Sequence, residues 1–463
     1  MHNQPIFVDL QLLKKYDRPG PRYTSYPTAP YFHPGIGPAE YQHHLLHDEG
    51  AADGQDLSLY VHLPFCDTLC YFCGCTMMVT RSRDKVEQYL HYLEKEMQLL
   101  GTSLDGKRRV AQLHWGGGTP THLTPDQIRR LGTLLHRYFP FRDNAEISVE
   151  IDPRELTREH MAALHEVGFN RCSMGVQDFQ PEVQAAINRV QPEAITRQAA
   201  EWARTLGFTS INMDLMYGLP HQTRATYAET LDTILKLQPD RLAIFNYAHL
   251  PRMFKHQTLI KDEWLPAPEE KLELLKLSIE TLTAAGYVYI GMDHFAKPED
   301  ELTQAMQQGT LYRNFQGYST HAGLNLLALG MSSISMLSSL YVQNHKTLPE
   351  YYAALDSGQL PTMRGVALTA DDRLRREVIV ELMCNFVLKK ARVAAKYGIE
   401  FDSYFGEALH QLEPFVEDGL VELATDQITV TTAGRLLIRN IVMNFDAYLQ
   451  KKADNKPQFS RTV

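Results

Sequence analysis

The chain has 463 residues, of which 44% are hydrophobic and 22% charged. These are ordinary figures for a globular protein with a sizeable core, and they exclude extended disorder. A formal net charge of −9 argues against a dedicated nucleic-acid binder, which carries basic excess. The opening MHNQPIFVDLQLLKKYDRPG has no basic stretch leading into an apolar one, and no apolar run is long enough to span a bilayer. Export and membrane insertion are therefore not expected, and a cytoplasmic location is.

Residues 1–54 are rich in Pro, Tyr and His and include GPRYTSYPTAPYF. Little periodicity appears there before a helix-like stretch after Pro38, so this segment reads as an arm laid over the active site. In residues 55–365 strand-like and helix-like segments alternate. LSLYVHL, VAQLHW, EISVEI, RCSMGV, INMDLMYGL, RLAIFNY and YVYIGMD read as strands. DKVEQYLHYLEKEMQLL, PDQIRRLGTLLHRYF, REHMAALHEVG, EAITRQAAEWARTLGF and YAETLDTILKLQ have helical spacing and lie between most of them. Repeated βα units predict a parallel sheet with crossover helices, open or closed into a barrel, with the chemistry at the C-terminal ends of the strands. Residues 366–463 turn mainly helical. LEPFVEDGLVELATDQITVTTAGRLLIRNI reads as helix, hairpin and helix, a winged-helix-like pattern taken for packing or a lid.

Of six cysteines, Cys66, Cys70, Cys73 and Cys75 fall in the single segment YVHLPFCDTLCYFCGC. Such a cluster in a long chain without an export signal reads as a metal site before it reads as disulfides. The first three have the spacing C-x3-C-x2-C, directly after a strand. A four-iron cluster normally takes four thiolates, so three leave one iron open to a ligand. S-adenosylmethionine (SAM) fits that position through its amino and carboxylate groups. Reductive cleavage of its carbon–sulfur bond would then give methionine and a 5′-deoxyadenosyl radical. The competing reading is a closed zinc site using all four cysteines, but zinc ribbons place two cysteine pairs well apart. Cys172 and Cys384 sit in apolar settings and read as buried thiols.

The spacing after a strand resembles the signature of the radical SAM superfamily. YVHLPFCDTLCYFCGC, with GPRYTSYPT, LHWGGGTPT, SVEIDP, GVQDF, MDLMYGLP, GMDHFAKPEDEL and the terminal FSRTV, is similar, in order and over nearly the whole chain, to the family of oxygen-independent coproporphyrinogen III dehydrogenases (oxidases) of haem synthesis. The resemblance implies an incomplete parallel (β/α) barrel of radical SAM type with an N-terminal arm and a mainly helical C-terminal domain. It implies oxidative decarboxylation of two propionates of coproporphyrinogen III to vinyl groups, giving protoporphyrinogen IX. The expected cofactors are a 4Fe-4S cluster on Cys66, Cys70 and Cys73 and two molecules of SAM.

The same resemblance assigns Tyr60, Gly117, Glu150 and Ile334 to the cluster-bound SAM. Phe72, Gly118, Thr119, Gln177, Arg189, Asp214 and Ala248 go to the second one. From the sequence alone, the glycine run Gly116–Gly118 offers close backbone approach and free N–H groups, and Arg189 suits a bidentate carboxylate contact. Cys75 and His62 are the catalytic candidates, with a core role for His62 equally open. Arg22, Tyr23 and Tyr26 are candidates for substrate contact, a structural strap being the alternative. The implied partners are coproporphyrinogen III, a low-potential electron donor and an electron acceptor, with no nucleic acid and no membrane; a monomer is expected. Relatives usually carry Asp where this chain has Asn325 and Gly where it has Ala328, which bears on the pocket around Ile334. Two further readings within the superfamily are a haem-binding chaperone and a haem-degrading radical methyltransferase. The long arm and Cys75 speak against the chaperone.

Overall fold

The computed structural model describes residues 6–47, 55–104, 108–450 and 459–462. Its centre is one twelve-stranded sheet. In chain order the strands are β1 (Leu57–Leu63), β2 (Val110–Gly117), β3 (Phe141–Ile151), β4 (Arg171–Gln177), β5 (Ser210–Tyr217) and β6 (Arg241–Asn246). There follow β7 (Val288–Gly291), β8 (His294–Ala296), β9 (Asn325–Leu329), β10 (Ile334–Met336), β11 (Leu340–Asn344) and β12 (Thr362–Ala367). The spatial order is β12-β11-β10-β9-β1-β2-β3-β4-β5-β6-β8-β7. β1 through β6 run parallel side by side, and β9 joins β1 in parallel from the other edge. The two ends of this order do not pair with each other, so the barrel is incomplete, as the resemblance implies.

The periodicity reading holds for the parallel half. Its crossover helices start where the sequence supplies caps. Ser82 caps Arg83–Ser103, and Thr124 with Gln127 forms a capping box at Pro125–Tyr138. In β1 the odd positions Leu57, Leu59, Val61 and Leu63 are at most 1% exposed and join the main core. Each buried aliphatic side chain contributes roughly 1.5–3 kcal/mol. The even positions face the barrel interior, where Ser58 meets Gln112 and Tyr60 stacks on His114.

Alternation ends sooner than the sequence suggests. The segment YVYIGMD does not extend the parallel sheet: β7 lies at its edge, antiparallel to β8, which is itself antiparallel to β6. Past β9 the chain adds the antiparallel strands β10, β11 and β12, which periodicity did not single out. The C-terminal region has its helix Ala370–Asn385, followed by a three-stranded antiparallel sheet of Val387–Lys389, Gln427–Val430 and Val421–Leu423. The arm is more regular than expected. It holds a helix at Leu10–Tyr16, whose N-terminus is capped by Asp9, besides the anticipated one at Pro38–Leu46.

Candidate functional site

β1 ends at Leu63, and the cysteine loop leaves directly above it. Gly118 N–H donates to Leu63 O at 2.8 Å and Thr119 N–H to Phe65 O at 2.7 Å, so the end of β2 grips the start of that loop. A Cβ on Gly118 would lie 2.7 Å from Phe65 O, and only glycine admits this approach. Gly117 has φ +118°, and its N–H donates to Glu150 at 3.1 Å. These three N–H groups are thus spent inside the protein. The glycine run works by close packing; it does not present free donors as the sequence suggested.

Cys66, Cys70, Cys73 and Cys75 all line one cavity of about 290 Å3 at the C-terminal ends of the parallel strands. Among the described residues no three His, Cys, Asp or Glu side chains are gathered tightly enough for a single metal ion. Three thiols spaced around a cavity suit a polynuclear cluster instead. Cys75 N–H lies 3.4 Å from Cys73 Sγ. The hydrogen bond from the Cys75 thiol holds the Cys73 thiol below its ordinary value and Cys75 above its own, while burial pushes Cys66 up to about 12.

Phe72, Gly117, Gly118, Thr119, Glu150, Gln177, Arg189 and Asp214 line the same cavity. Arg189 arrives from the segment after β4 and is 6% exposed. It donates to Asp152 at 3.0 Å and to Gly175 O at 2.6 Å, and lies 3.6 Å from Cys70 Sγ. Its Nε is buried without a partner, which suits a ligand carboxylate. Burial raises the Asp152 carboxyl, but Arg189 and Arg154 outweigh it and hold that group at about 2. Glu150 is also held low: burial opposes this, and the hydrogen bond from His114 leads the groups that prevail. Asp214 goes the other way. Burial, with the Glu150 charge next, pushes it up to about 7, against hydrogen bonds from Asn212 and Ser173.

Four expected positions lie off this cavity. His62 is 6% exposed, and both ring nitrogens are engaged, Nε2 with Thr76 O at 2.9 Å and Nδ1 with Tyr60 Oη at 3.2 Å. Burial lowers its pKa, so it stands as a neutral core histidine bracing the loop beside Cys75. Tyr60 and Ile334 pack together with Phe32, Leu326, Met336 and Tyr341. Ala248 lines a second, larger space.

Arg22 faces that second space, ion-paired with Asp293 and lying over the Phe245 ring. Tyr23 and Tyr26 do not, which corrects the expectation that their rings lie against a macrocycle. They are 2% and 1% exposed; Tyr23 Oη donates to Asp446 at 2.8 Å, and Tyr26 Oη accepts from Ala447 N–H at 3.0 Å. Both are driven into the C-terminal region by their own apolar area.

The departures at Asn325 and Ala328 fall within β9. Asn325 pairs with Leu57, at the opposite end of β1 from the cysteine loop. Ala328 N–H donates to Ser335 Oγ at 2.9 Å, so neither position lines the thiol cavity. Sequence reading missed Asp152 and Arg154 as site residues; SVEIDPRE carried both, but only the third dimension shows that Arg189 comes back to meet them.

The family model for the radical SAM superfamily matches residues 60–234, and that for the HemN C-terminal domain matches residues 368–437. The chain is 50% identical to the oxygen-independent coproporphyrinogen III oxidase of Salmonella typhimurium over 463 residues, 100% of each chain. It is 49% identical to the protein of the same name from Pseudomonas aeruginosa, covering 98% of both. The solved coproporphyrinogen III oxidase of Escherichia coli, a radical SAM enzyme, superimposes with a TM-score of 0.91 at 48% identity, covering 96% of this chain and 100% of that one.

Proposed function

The chain belongs to the oxygen-independent coproporphyrinogen III oxidases of the radical SAM superfamily, and from that premise we propose a division of labour among its residues. The reaction is oxidative decarboxylation: a β-hydrogen leaves a propionate side chain of coproporphyrinogen III, then carbon dioxide and one electron, and a vinyl group remains. Two rounds give protoporphyrinogen IX. A 4Fe-4S cluster and SAM serve as cofactors; when bound, the reduced cluster supplies the electron that cleaves SAM and so generates the hydrogen-abstracting radical.

Cys66, Cys70 and Cys73 hold the cluster. Cys75 stands at the cavity wall beside Cys73, where, once the cluster takes Cys73, its thiol can exchange a hydrogen with the substrate or its surroundings. Glu150, fixed as a carboxylate by His114 and the Gly117 N–H, accepts from amino or hydroxyl groups of the first SAM. Arg189, Gln177 and Asp214 take the second, with Arg189 on its carboxylate. Phe72 contributes an apolar face. His62 and Tyr60 position the loop from behind, and Ile334 supports Tyr60. Cleavage of SAM would need a low-potential electron donor, and the electron lost by the substrate a terminal acceptor, both from outside the chain, and the enzyme acts as a cytoplasmic monomer.

The observation that carries this reading is the convergence of three thiols, Glu150 and Arg189 on one cavity above the parallel strands. The test is anaerobic reconstitution with iron and sulfide, then incubation with coproporphyrinogen III, SAM and a reductant. Product mass should fall in two steps, each a loss of carbon dioxide and two hydrogens. A methylated or ring-opened tetrapyrrole would point to the methyltransferase instead, and tight binding of haem without turnover to the chaperone.

A further inference from the structure

A second cavity of about 680 Å3 lies beside the ends of β5 and β6. Its walls come from the ends of β5 and β6, the segment 265–272 that opens the helix Pro268–Ala284, Asp293, Arg439, the arm and the tail 459–462. Arm and tail are clasped. Gly20 N–H donates to Ser460 O at 3.0 Å and Thr462 N–H to Arg18 O at 2.9 Å. Arg439 ties both together by donating to the carbonyls of Gly20, Pro21, Arg461 and Thr462. Phe245 lines the thiol cavity, and Arg22, which lines this second space, lies over the Phe245 ring.

The charge in this wall is unlike that of the chain as a whole. Five cations face it, Lys14, Arg22, Lys271, Arg439 and Arg461, against three carboxylates, Asp17, Glu269 and Asp293. Each carboxylate already has a cation: Arg461 on Asp17, Lys14 on Glu269, Arg22 on Asp293. Lys271 and Arg439 share the charge of Asp17 with Arg461, and their hydrogen-bond partners are backbone carbonyls. Lys271 Nζ donates to Tyr247 O at 2.6 Å, with its stem laid on Gly218, where a Cβ would meet the Lys271 chain at 2.4 Å. Three cations around the one carboxylate of Asp17, beside a large cavity, leave positive charge that an arriving anion offsets.

We infer that this arm-and-tail cavity is the substrate pocket, and that Lys271 is its specificity residue, taking a propionate carboxylate. The inference deepens the oxidase reading and rests on it. A tetracarboxylate fits both the size of the space and its surplus cations, and closure by arm and tail excludes water from the reacting face.

The test uses the reconstituted holoenzyme. Lys271→Met keeps the stem and removes the charge. KM for coproporphyrinogen III should rise about tenfold or more, the loss expected of a charge-assisted bond, with kcat, the cluster spectrum and bound SAM unchanged. Lys271→Arg should restore most of the affinity. A second measurement needs no variant: coproporphyrinogen III should protect Lys271 of the wild-type enzyme from reductive methylation, whereas SAM alone should not. Unchanged KM in Lys271→Met, or methylation unaffected by substrate, overturns the inference. A wild-type enzyme that leaves coproporphyrinogen III untouched would instead overturn the oxidase reading, and the inference with it.

Discussion

Arg189 and Cys70 are neighbours across the cavity: the guanidinium Nη1 lies 3.6 Å from the thiol sulfur. The same nitrogen is 3.0 Å from Asp152, and Arg154 adds a second guanidinium, 3.4 Å from Cys70 Sγ. Two guanidinium donors on one sulfur hold that side chain in place at the cavity wall. One arginine thus serves both the metal-binding loop and the ligand space, since its Nε remains free to bond.

The first prediction concerns the thiols. Cys66→Ser, Cys70→Ser and Cys73→Ser should each lose the cluster or nearly so, measured as iron and sulfide per chain after anaerobic reconstitution. Cys75→Ser should retain iron and sulfide, because its backbone N–H still reaches Cys73, yet should make little protoporphyrinogen. If Cys75→Ser loses the cluster while one of the other three keeps it, the assignment of ligands is wrong.

Arg189→Ala should lower bound SAM from two towards one per chain at saturation. The lost charge-assisted bond is worth roughly 1.5–3 kcal/mol. The variant also takes a cation from Asp152, so its carboxyl should titrate higher than the about 2 that Arg189 and Arg154 sustain against burial. Equilibrium dialysis with labelled SAM, alongside the cluster spectrum, checks the first effect. Saturation of the wild type at one SAM would remove the basis for a second site.

How much of this was legible in the sequence depends on the range of the interactions. β1 to β6 and their helices declare themselves because strand and helix periods are local and their caps lie within a few residues of the helix start. The antiparallel strands β10 to β12 are short, and pairing beyond their own segments defines them, so no period marks them. The cysteine loop was readable because its ligands share ten residues of chain. Cavity residues contributed by distant strands, Asp152 with Arg189 above all, became a set only on folding. The glycine run was read as a donor cradle because sequence shows which N–H groups exist, and not which carbonyls will claim them.

Asp214 gives a pH test. Its folded pKa, about 7, stands above the ordinary carboxyl value near ~3.9. Between those values the unfolded chain has released a proton that the folded chain keeps. The stability this group contributes is therefore full below about pH 4 and lost as pH rises through about 7. Asp214→Asn has no such slope, so the SAM-free variant should gain stability relative to wild type between about pH 5 and pH 8. Denaturant unfolding at both pH values measures it. Parallel behaviour of the two proteins would mean that Asp214 is not buried as a raised carboxyl, and second-SAM binding should be followed in the same variant.

The arm separates two roles that the sequence could not, a strap and a substrate contact. Tyr23 and Tyr26 belong to the strap. Tyr23→Phe deletes the hydrogen bond to Asp446, a buried carboxylate otherwise supported by the N–H groups of Tyr448 and Leu449, and should cost roughly 1–3 kcal/mol. Tm should fall while KM for coproporphyrinogen III stays unchanged. Arg22 belongs to the contact. Arg22→Ala should weaken substrate binding more than SAM binding, but it also strands Asp293, its ion-pair partner, and some loss of Tm will follow from that alone. The double variant Arg22→Ala with Asp293→Ala removes both charges and should recover the lost Tm without recovering substrate affinity. Removing residues 1–30 combines all of these effects. Cluster assembly should survive, since the cysteine loop is held by β1 and β2, while Tm falls and protoporphyrinogen formation stops. If the double variant regains affinity together with Tm, Arg22 acts only through the fold, and the arm is a strap throughout.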